Sequence, residues 1–278
     1  MTAIPHYAVF GHPVAHSLSP RLHTFFGAQA GIEMEYIALD AEPAEFAGAV
    51  RAFFAVGGSG VNVTLPHKAA AFELADVRSV AAERLGVANV LTSLPDGRIE
   101  AESNDGVAML ADLHSRRGVD PAGRNVLLLG AGGAARAAAF ALRDADVRRL
   151  VIVNRTFERA AALAEALAQP DRVCISRWDA LERCAPFDLI VNATSAGVQQ
   201  VQLTLPVSLV DAKSIAYDLS YGLAAQPFLA WASRAGSASA FDGLGMLLET
   251  AAASFERWHG VRPDVDAARR TLRGESRL

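Results

Sequence analysis

Cysteine is scarce in this sequence of 278 residues, in which only Cys174 and Cys184 occur. Two cysteines are too few for a disulfide framework in a chain of this length, and neither lies in a Cys/His cluster with metal-ligand spacing. We therefore expect reduced structural thiols, no metal site and a cytoplasmic location.

Long apolar runs and a surplus of basic charge are also missing. No apolar stretch approaches the roughly 18 residues of a membrane span, and residues 1–11 lack the basic start and apolar core of a secretion signal. The 26 basic residues are outnumbered by 30 acidic ones, which gives a net charge of -4. Nucleic acids and anionic membranes usually bind a basic surplus, so we expect neither of them as a partner.

Two common catalytic patterns are absent as well. The sequence contains no G-x-S-x-G elbow after a predicted strand, and its seven histidines form no H-x-x-x-H pair on a predicted helix. These absences argue against a Ser/His/Asp hydrolase and against a zinc enzyme.

What is present is an alternation of short β-branched, apolar runs with longer segments of helical periodicity. This alternation is typical of βαβ units around a mainly parallel sheet, so the predicted fold class is α/β. At 278 residues the chain is longer than one typical domain, which predicts two.

In the first part, we predict strands at residues 6–10, 34–39, 60–64 and 88–94, with a Pro-Asp-Gly turn at 95–97 leading to another extended piece. Predicted helices cover residues 19–30, 43–56 and 66–75, the first with Ser19 as N-cap and Pro20 after it. In the second part, strands are predicted at 125–129, 151–153, 172–175, 188–191, 214–217 and 237–241, and two closing helices at 243–258 and 264–273.

A glycine-rich turn follows the strand at 125–129. Gly130-Ala131-Gly132-Gly133-Ala134-Ala135 fits G-x-G-x-x-A between a predicted strand and a predicted helix. The first glycine permits the tight turn, the second lets the backbone approach a pyrophosphate, and the small Ala135 allows close helix packing. The position favours nucleotide binding over a turn without a ligand.

The next strand ends on Asn154-Arg155-Thr156, followed by Arg159. An acidic residue there would bind the ribose of NAD and repel a 2'-phosphate, whereas two guanidinium groups suit a phosphate. A solvated basic helix start is the alternative, but cations at a helix N-terminus oppose its dipole. The pattern therefore favours NADP over NAD.

Polar residues at strand ends in the first part complete a pattern that resembles shikimate dehydrogenase. Singly, each has an ordinary explanation, such as a helix cap or a solvated charge. The matching motifs run along nearly the whole chain in order: His-Ser-Leu-Ser-Pro at 16–20, Asn-Val-Thr-Leu-Pro-His-Lys at 62–68, Asn-Asp-Gly at 104–106, the Gly130 turn, Asn-Arg-Thr at 154–156, Asn-Ala-Thr-Ser at 192–195 and Asp-Gly-Leu-Gly-Met at 242–246.

This resemblance implies reversible NADPH-dependent reduction of 3-dehydroshikimate to shikimate, in the pathway to aromatic amino acids. It also implies a substrate-binding domain over 1–105, a Rossmann-type NADP domain over 106–242, and helices over 243–278 that pack back on the first domain. Lys68 and Asp105 would be the catalytic pair. The substrate would contact Ser17, Ser19, Asn62, Thr64, Lys68, Asn89, Asp105 and Tyr221. The cofactor would contact Gly130, Ala131, Gly132, Gly133, Ala134, Asn154, Arg155, Thr156, Arg159, Thr194, Leu219 and Gly243.

The residue types agree with that chemistry. Short Ser, Thr, Asn and Tyr side chains suit a polyol carboxylate, and an ammonium both stabilises the developing alkoxide and donates its proton. The sequence departs from the usual family pattern at Thr250, where a substrate-binding glutamine is usual, and at Asn104, which precedes Asp105 in place of threonine. Two alternatives therefore remain, a paralogue acting on quinate or an aminoshikimate, and a non-catalytic NADP-binding sensor.

Overall fold

The computed structural model describes residues 4–184 and 186–275. Two compact units divide the chain: the first comprises the residues up to Ala108 together with those from Leu247 onward, and the second comprises Met109–Met246. Within the described ranges, no helix is both long enough and apolar enough to cross a membrane.

Strands and helices alternate along the chain, as the sequence predicts. Up to the middle of the chain the elements are β1 (His6–Gly11), α1 (Ser19–Ala30), β2 (Glu35–Asp40), α2 (Phe46–Ala55), β3 (Gly58–Val63), α3 (Lys68–Leu74), β4 (Val77–Arg78), α4 (Val80–Leu85), β5 (Val90–Ser93), β6 (Ile99–Glu102) and α5 (Asp105–Ala111), which continues as a π-helical turn over Asp112–Arg116. The remaining elements are β7 (Asn125–Leu129), α6 (Gly133–Asp144), β8 (Arg149–Val153), α7 (Phe157–Leu167), β9 (Val173–Ser176), β10 (Leu189–Asn192), β11 (Ile215–Asp218), α8 (Gln226–Arg234), β12 (Ser239–Phe241), α9 (Leu244–His259) and α10 (Val265–Glu275), with 3-10 turns at Trp178–Arg183, Val207–Leu209 and Gly222–Ala224.

The first unit contains a six-stranded sheet in the order β2-β1-β3-β5-β6-β4. β1 pairs in parallel with β2 and β3, with Ala8 opposite Ile37 on one side and Val61 on the other. β5 and β6 form an antiparallel hairpin whose turn contains Gly97 at a φ of 83°, which a Pro-Asp-Gly turn accommodates without strain. The predicted strands at 6–10, 34–39 and 60–64 and the predicted extended piece after the turn are confirmed, whereas the predicted strand at 88–94 pairs antiparallel with β3.

The start of α1 corrects one prediction. Ser19 is not the N-cap: Leu18 occupies that position in the right-handed helical region, and no side chain caps the helix there. Instead, the Ser17 hydroxyl accepts a hydrogen bond from the Ser19 backbone N–H at 3.2 Å. The predicted proline does lie in the first turn, where its missing N–H has no cost.

The second unit contains a parallel sheet in the order β12-β11-β10-β7-β8-β9. This is the doubly wound Rossmann arrangement, in which the order reverses between β7 and β10, and ligands bind at the carboxyl ends of the strands beside such a reversal. Leu127, Leu128 and Leu129 are fully buried because helices cover both faces of the sheet. The small Ala135 and Ala138 let α6 approach the strands closely.

An aromatic cluster fills the first unit between β2 and α9. The His23 ring lies flat on Tyr36, with ring centroids 4.1 Å apart, and is surrounded by Phe26, Phe255 and Trp258. His23 is fully buried, and the loss of hydration lowers the pKa of its imidazole to about 3, with the nearby His259 acting in the same direction.

We expect His23 to make the folded state sensitive to acid. Because its folded-state pKa lies below the ordinary value of 6.5, the unfolded chain binds a proton that the folded chain does not. The free energy of unfolding then decreases as pH falls below 6.5, by about 1.4 kcal/mol per pH unit. Urea unfolding between pH 4.5 and 7 should give a shallower dependence for His23→Phe, whereas the exposed control His114→Phe should keep the slope of the unmodified chain. An unchanged slope in His23→Phe would contradict this account.

Candidate active site

The centre of the candidate site is an ion pair between Lys68 and Asp105. Lys68 is the first residue of α3 and Asp105 the first residue of α5, so two helix starts present the ammonium and the carboxylate to each other. Only 13% of the Lys68 side chain and 6% of the Asp105 side chain are exposed. Both charges have lost most of their hydration, so each must be compensated by the opposite charge and by further hydrogen bonds. An unpaired buried charge is strongly unfavourable.

Asparagine amides supply those further bonds. The Nδ2 of Asn89 donates to Asp105 Oδ1 at 3.1 Å and to Asn104 Oδ1 at 2.6 Å, while its Oδ1 accepts from the Asn104 backbone N–H at 2.9 Å. Asn89 immediately precedes β5, and Asn104 immediately precedes α5. The side-chain amide of Asn89 therefore connects the start of β5 to the start of α5, the helix that carries the Asp105 carboxylate.

Of the remaining substrate residues predicted in the first unit, two lie at the end of β3 and two lie between β1 and the first residue of α1. Asn62 is in β3, with its side chain buried and its Oδ1 accepting from the Tyr36 hydroxyl at 2.7 Å. Thr64 follows β3, and its backbone N–H donates to Phe10 O at 2.9 Å. Ser17 lies in the loop between β1 and α1, and its hydroxyl accepts from the backbone N–H of Ser19 at the start of α1. The Ser19 side chain hydrogen-bonds to Tyr36, the residue whose hydroxyl donates to Asn62.

Tyr221 belongs to the second unit. It lies after β11, at the N-cap of a 3-10 turn over Gly222–Ala224, and its ring is partly exposed. The other predicted substrate residues all belong to the first unit.

The glycine-rich turn in the second unit has the geometry of a phosphate site. Gly130 has a φ of 115°, and a Cβ there would lie 2.8 Å from Ala193 O, so only glycine fits. Gly132 is the N-cap of α6, and a Cβ added to it would meet nothing within 4 Å among the described residues. Gly133 and Ala134 open the helix, so their N–H groups face that space without intrahelical acceptors. The residues present fit a dinucleotide pyrophosphate.

A second polar group follows β8 at the same edge of the sheet. The Asn154 side chain donates to Thr156 O at 2.8 Å, which holds the turn before α7, and Thr156 is the N-cap of that helix. Arg155 and Arg159 are exposed there. The structure thus brings together the residues predicted to hold the 2'-phosphate of NADP.

Arg177 adds a guanidinium that the sequence interpretation missed. It follows β9, which pairs with β8 so that Ser176 lies opposite Val153, and its guanidinium stacks over the Phe157 ring at 4.7 Å. A basic residue two positions after the strand predicted at 172–175 was the available signal. Its relevance emerges only once the strand order is known.

Near the strand-order reversal, the backbones after β10 and β11 converge. Asn192 Oδ1 accepts from the Thr194 hydroxyl at 2.8 Å, and the Leu219 N–H donates to Asn192 O at 2.9 Å. The Gly243 N–H donates to Ser220 O at 2.8 Å, and a Cβ at Gly243 would collide with the Leu219 carbonyl. The predicted cofactor residues Thr194, Leu219 and Gly243 therefore share one edge.

Asp218 is a buried carboxyl at this edge that the sequence interpretation also missed. It accepts from the Asn192 side chain at 2.8 Å and from the Ser220 N–H at 2.7 Å. Burial outweighs these hydrogen bonds and raises the pKa of Asp218 to about 7. The residue holds the turns after β10 and β11 together.

These features suit hydride-transfer chemistry on a polar small molecule. The first unit offers a buried ammonium beside amide and hydroxyl groups, and the second offers a dinucleotide turn with an adjacent basic group. Across the described part of the chain, no group of three or more His, Cys, Asp or Glu side chains could hold a metal ion.

Comparison with known proteins identifies the family. Three family models match in order: the shikimate dehydrogenase substrate binding domain over residues 9–91, shikimate / quinate 5-dehydrogenase over 112–211, and the shikimate 5'-dehydrogenase C-terminal domain over 243–273. Shikimate dehydrogenase (NADP(+)) of Xylella fastidiosa strain M12 is 50% identical over 98% of this chain and 97% of its own length. The corresponding enzyme of Stenotrophomonas maltophilia strain R551-3 is 49% identical over 96% of this chain and 95% of its own.

Solved structures agree with the sequence relatives. The Ael1 enzyme from Pseudomonas putida matches with a TM-score of 0.85 and 42% identity, covering 96% of this chain and 98% of its own. The shikimate 5-dehydrogenase of Thermus thermophilus in complex with NADP(H) and shikimate matches with a TM-score of 0.81 and 34% identity, covering 96% and 99%. The predicted resemblance is confirmed, and the chain belongs to the shikimate dehydrogenase (NADP(+)) family.

Proposed function

We propose that this chain catalyses the reversible reduction of 3-dehydroshikimate to shikimate with NADPH, a step toward aromatic amino acids. The observation that carries the proposal is the buried Lys68–Asp105 pair, surrounded by asparagine amides in a unit that matches the family's substrate binding domain. The relatives named above act as shikimate dehydrogenases with NADP(+).

Lys68 is the proton donor in this proposal. Reduction of a ketone places negative charge on its oxygen, and an ammonium within hydrogen-bond distance stabilises that charge and transfers its proton to complete the hydroxyl group. In the reverse direction the neutral amine accepts the proton from the alcohol. Asp105 stabilises the ammonium and orients it, because its carboxylate faces the Lys68 Nζ while Asn89 holds its other oxygen.

The substrate's carboxylate and hydroxyl groups require several short donors and acceptors. Ser17, Ser19, Asn62, Thr64 and Asn89 of the first unit, and Tyr221 of the second, are the proposed contacts. These side chains add hydrogen-bonding groups with little bulk, which suits a small, heavily hydroxylated ring.

The proposed cofactor is NADP, which supplies and accepts the hydride when bound. Gly130, Ala131, Gly132, Gly133 and Ala134 would hold the pyrophosphate against the start of α6. Asn154, Arg155, Thr156 and Arg159 would bind the 2'-phosphate, with Arg177 beside them. Thr194, Leu219 and Gly243 would line the nicotinamide end.

Quinate is the second candidate substrate. Thr250 lies in α9, at a position where the family usually carries a longer glutamine, and the matching family model covers both shikimate and quinate dehydrogenases. A non-catalytic sensor is less well supported, because a sensor has no need for a lysine and an aspartate buried against each other at such a cost.

Three further features complete the proposal. Its partners are small molecules rather than nucleic acids, in keeping with the net charge of -4. The chain acts as a monomer or a homodimer. Its location is cytoplasmic, a compartment that keeps thiols such as Cys174 and Cys184 reduced.

We expect Lys68→Met to lower kcat for shikimate oxidation by at least about 100-fold, because the proton acceptor is lost while the aliphatic stem remains. Initial rates from the absorbance of reduced nicotinamide measure this effect. The exposed Lys213→Met variant is the matched control and should keep the activity of the unmodified chain. Equal rates in the two variants would exclude Lys68 as the proton-transfer group.

We also expect Arg155→Ala and Arg159→Ala each to raise the KM for NADP by about 10-fold or more, while the KM for NAD changes little. The reason is the loss of a charge-assisted hydrogen bond to the 2'-phosphate, which NAD lacks. Arg234→Ala, which removes an exposed guanidinium at the end of α8, serves as the control. A parallel rise in the KM for both cofactors would rule out a specific contact with the 2'-phosphate.

A further inference from the structure

Ser254 lies in α9, one turn after Thr250, and has no exposed surface. Its hydroxyl donates to Thr250 O at 2.9 Å. The same oxygen accepts from the Asn62 side-chain amide at 2.8 Å and from the Asn104 side-chain amide at 3.3 Å. A hydroxyl has one proton and two lone pairs, so all three hydrogen-bonding positions of the Ser254 hydroxyl are occupied.

Because these three positions are occupied, the Ser254 hydroxyl determines the orientation of the neighbouring asparagine side-chain amides. Because the Ser254 proton is directed to the Thr250 carbonyl, its oxygen is able only to accept from its other neighbours. Asn62 and Asn104 must therefore both turn their NH2 groups toward Ser254. An amide rotated by 180° would place two acceptors against each other in a buried site, which is unfavourable because neither oxygen then has a hydrogen-bond donor.

The orientation is transmitted to the catalytic pair. With its NH2 group on Ser254, Asn104 presents Oδ1 to Asn89 Nδ2. Asn89 then directs its NH2 group to Asp105 Oδ1 as well, and leaves Oδ1 for the Asn104 backbone N–H. The opposite orientation of Asn89 would set its carbonyl against the Asp105 carboxylate.

The second branch leads into the substrate pocket proposed above. The NH2 group of Asn62 donates to the Ser254 hydroxyl, and the Oδ1 of Asn62 accepts from the Tyr36 hydroxyl. The Tyr36 ring is fixed in turn by the stacked His23. Both branches meet at a single buried oxygen atom.

We propose that Ser254 is a positioning residue of this site: its hydroxyl sets the orientation of the Asn62, Asn104 and Asn89 amides and thereby holds the Asp105 carboxylate against Lys68. The expected effect of Ser254 on catalysis rests on the proposed function. The expected effect on the orientation of the asparagine side chains rests on the hydrogen-bond geometry alone. Ser254 transfers no proton, because every position on its oxygen is occupied.

Three variants test the proposal by separating hydrogen bonding from space filling. Ser254→Ala removes the hydroxyl, Ser254→Cys keeps a side chain of similar size with only a weak acceptor, and Ser254→Thr keeps the hydroxyl and adds a methyl group. The matched control is Ser214→Ala, because Ser214 is equally buried and its hydroxyl donates to Phe187 O in the second unit. Thermal melts establish that each variant is folded.

We expect Ser254→Ala and Ser254→Cys to lower kcat for shikimate oxidation by about 10-fold or more, since small displacements of catalytic groups are costly. The affinity for NADPH should stay unchanged in both, and Ser254→Thr should recover most of the lost kcat. Ser214→Ala should keep the kcat of the unmodified chain. Full activity in both Ser254→Ala and Ser254→Cys, or activity retained by the cysteine variant and lost in the threonine variant, would overturn the proposal.

A measurement without turnover distinguishes this inference from the proposed function. In 15N–1H spectra, the side-chain NH2 signals of Asn89 should shift in Ser254→Ala and Ser254→Cys and remain in place in Ser214→Ala. If the unmodified chain oxidised no shikimate, the proposed function would fail, and the Asn89 signals would still decide the role of Ser254. Unshifted Asn89 signals in Ser254→Ala would refute it.

Discussion

The first unit is organised around one electrostatic constraint, the pairing of Lys68 with Asp105 away from water. Removing one partner of a buried ion pair typically costs about 3–5 kcal/mol, because the other charge is left without compensation. The surrounding protein must therefore satisfy the remaining carboxylate oxygen and hold both helix starts. Asn89 does so by bonding to Asp105 while it also ties the start of β5 to the start of α5.

The second unit obeys a steric constraint instead. Its strands are buried on both faces, so polar groups are confined to the strand ends, and backbone segments meet there at distances that exclude side chains. Gly130 lies against the Ala193 carbonyl, and Gly243 lies against the Leu219 carbonyl. Glycine at these positions brings peptide N–H groups and carbonyls close enough to surround a flat, charged cofactor.

Much of this architecture could be predicted from the sequence. The helix Ser19–Ala30 and the strand Asn125–Leu129 have the predicted bounds, because the helix has a proline at its start and a glycine after its end and the strand has a continuous apolar run. The confirmed family assignment follows from motifs whose order along the chain is itself informative. The proposed site residues were assigned from these motifs, and many of them follow the end of a strand, where a parallel sheet collects functional groups.

Other features depend on contacts between distant residues and leave little trace in the sequence. The two-residue strand Val77–Arg78 and the six-residue helix Val80–Leu85 are too short for a period to emerge, and the helix relies on a cap from Ser79. The N-cap of α1 was assigned wrongly because Ser17, two residues upstream of Ser19, supplies the acceptor.

Ser254 and Asp218 illustrate the same limit within the candidate site. In the sequence, nothing distinguishes Ser254 from any other serine in an amphipathic helix. Only the fold shows that Asn62, 192 residues earlier in the chain, lies beside it. Asp218 ends an apolar strand, and only its burial at the sheet edge, which the fold determines, raises the pKa of its carboxyl. Residues that contact a ligand are therefore easier to identify from sequence patterns than the residues that hold those contacting side chains in position.

The most direct test of the central claim is a comparison of four reactions of the unmodified protein, followed by the absorbance of reduced nicotinamide: shikimate or quinate, each with NADP or NAD. The account predicts rapid reduction of NADP by shikimate, with the other three combinations slower. Faster turnover of quinate would make it the substrate in place of shikimate. A folded protein that binds NADPH and oxidises neither compound would contradict the account.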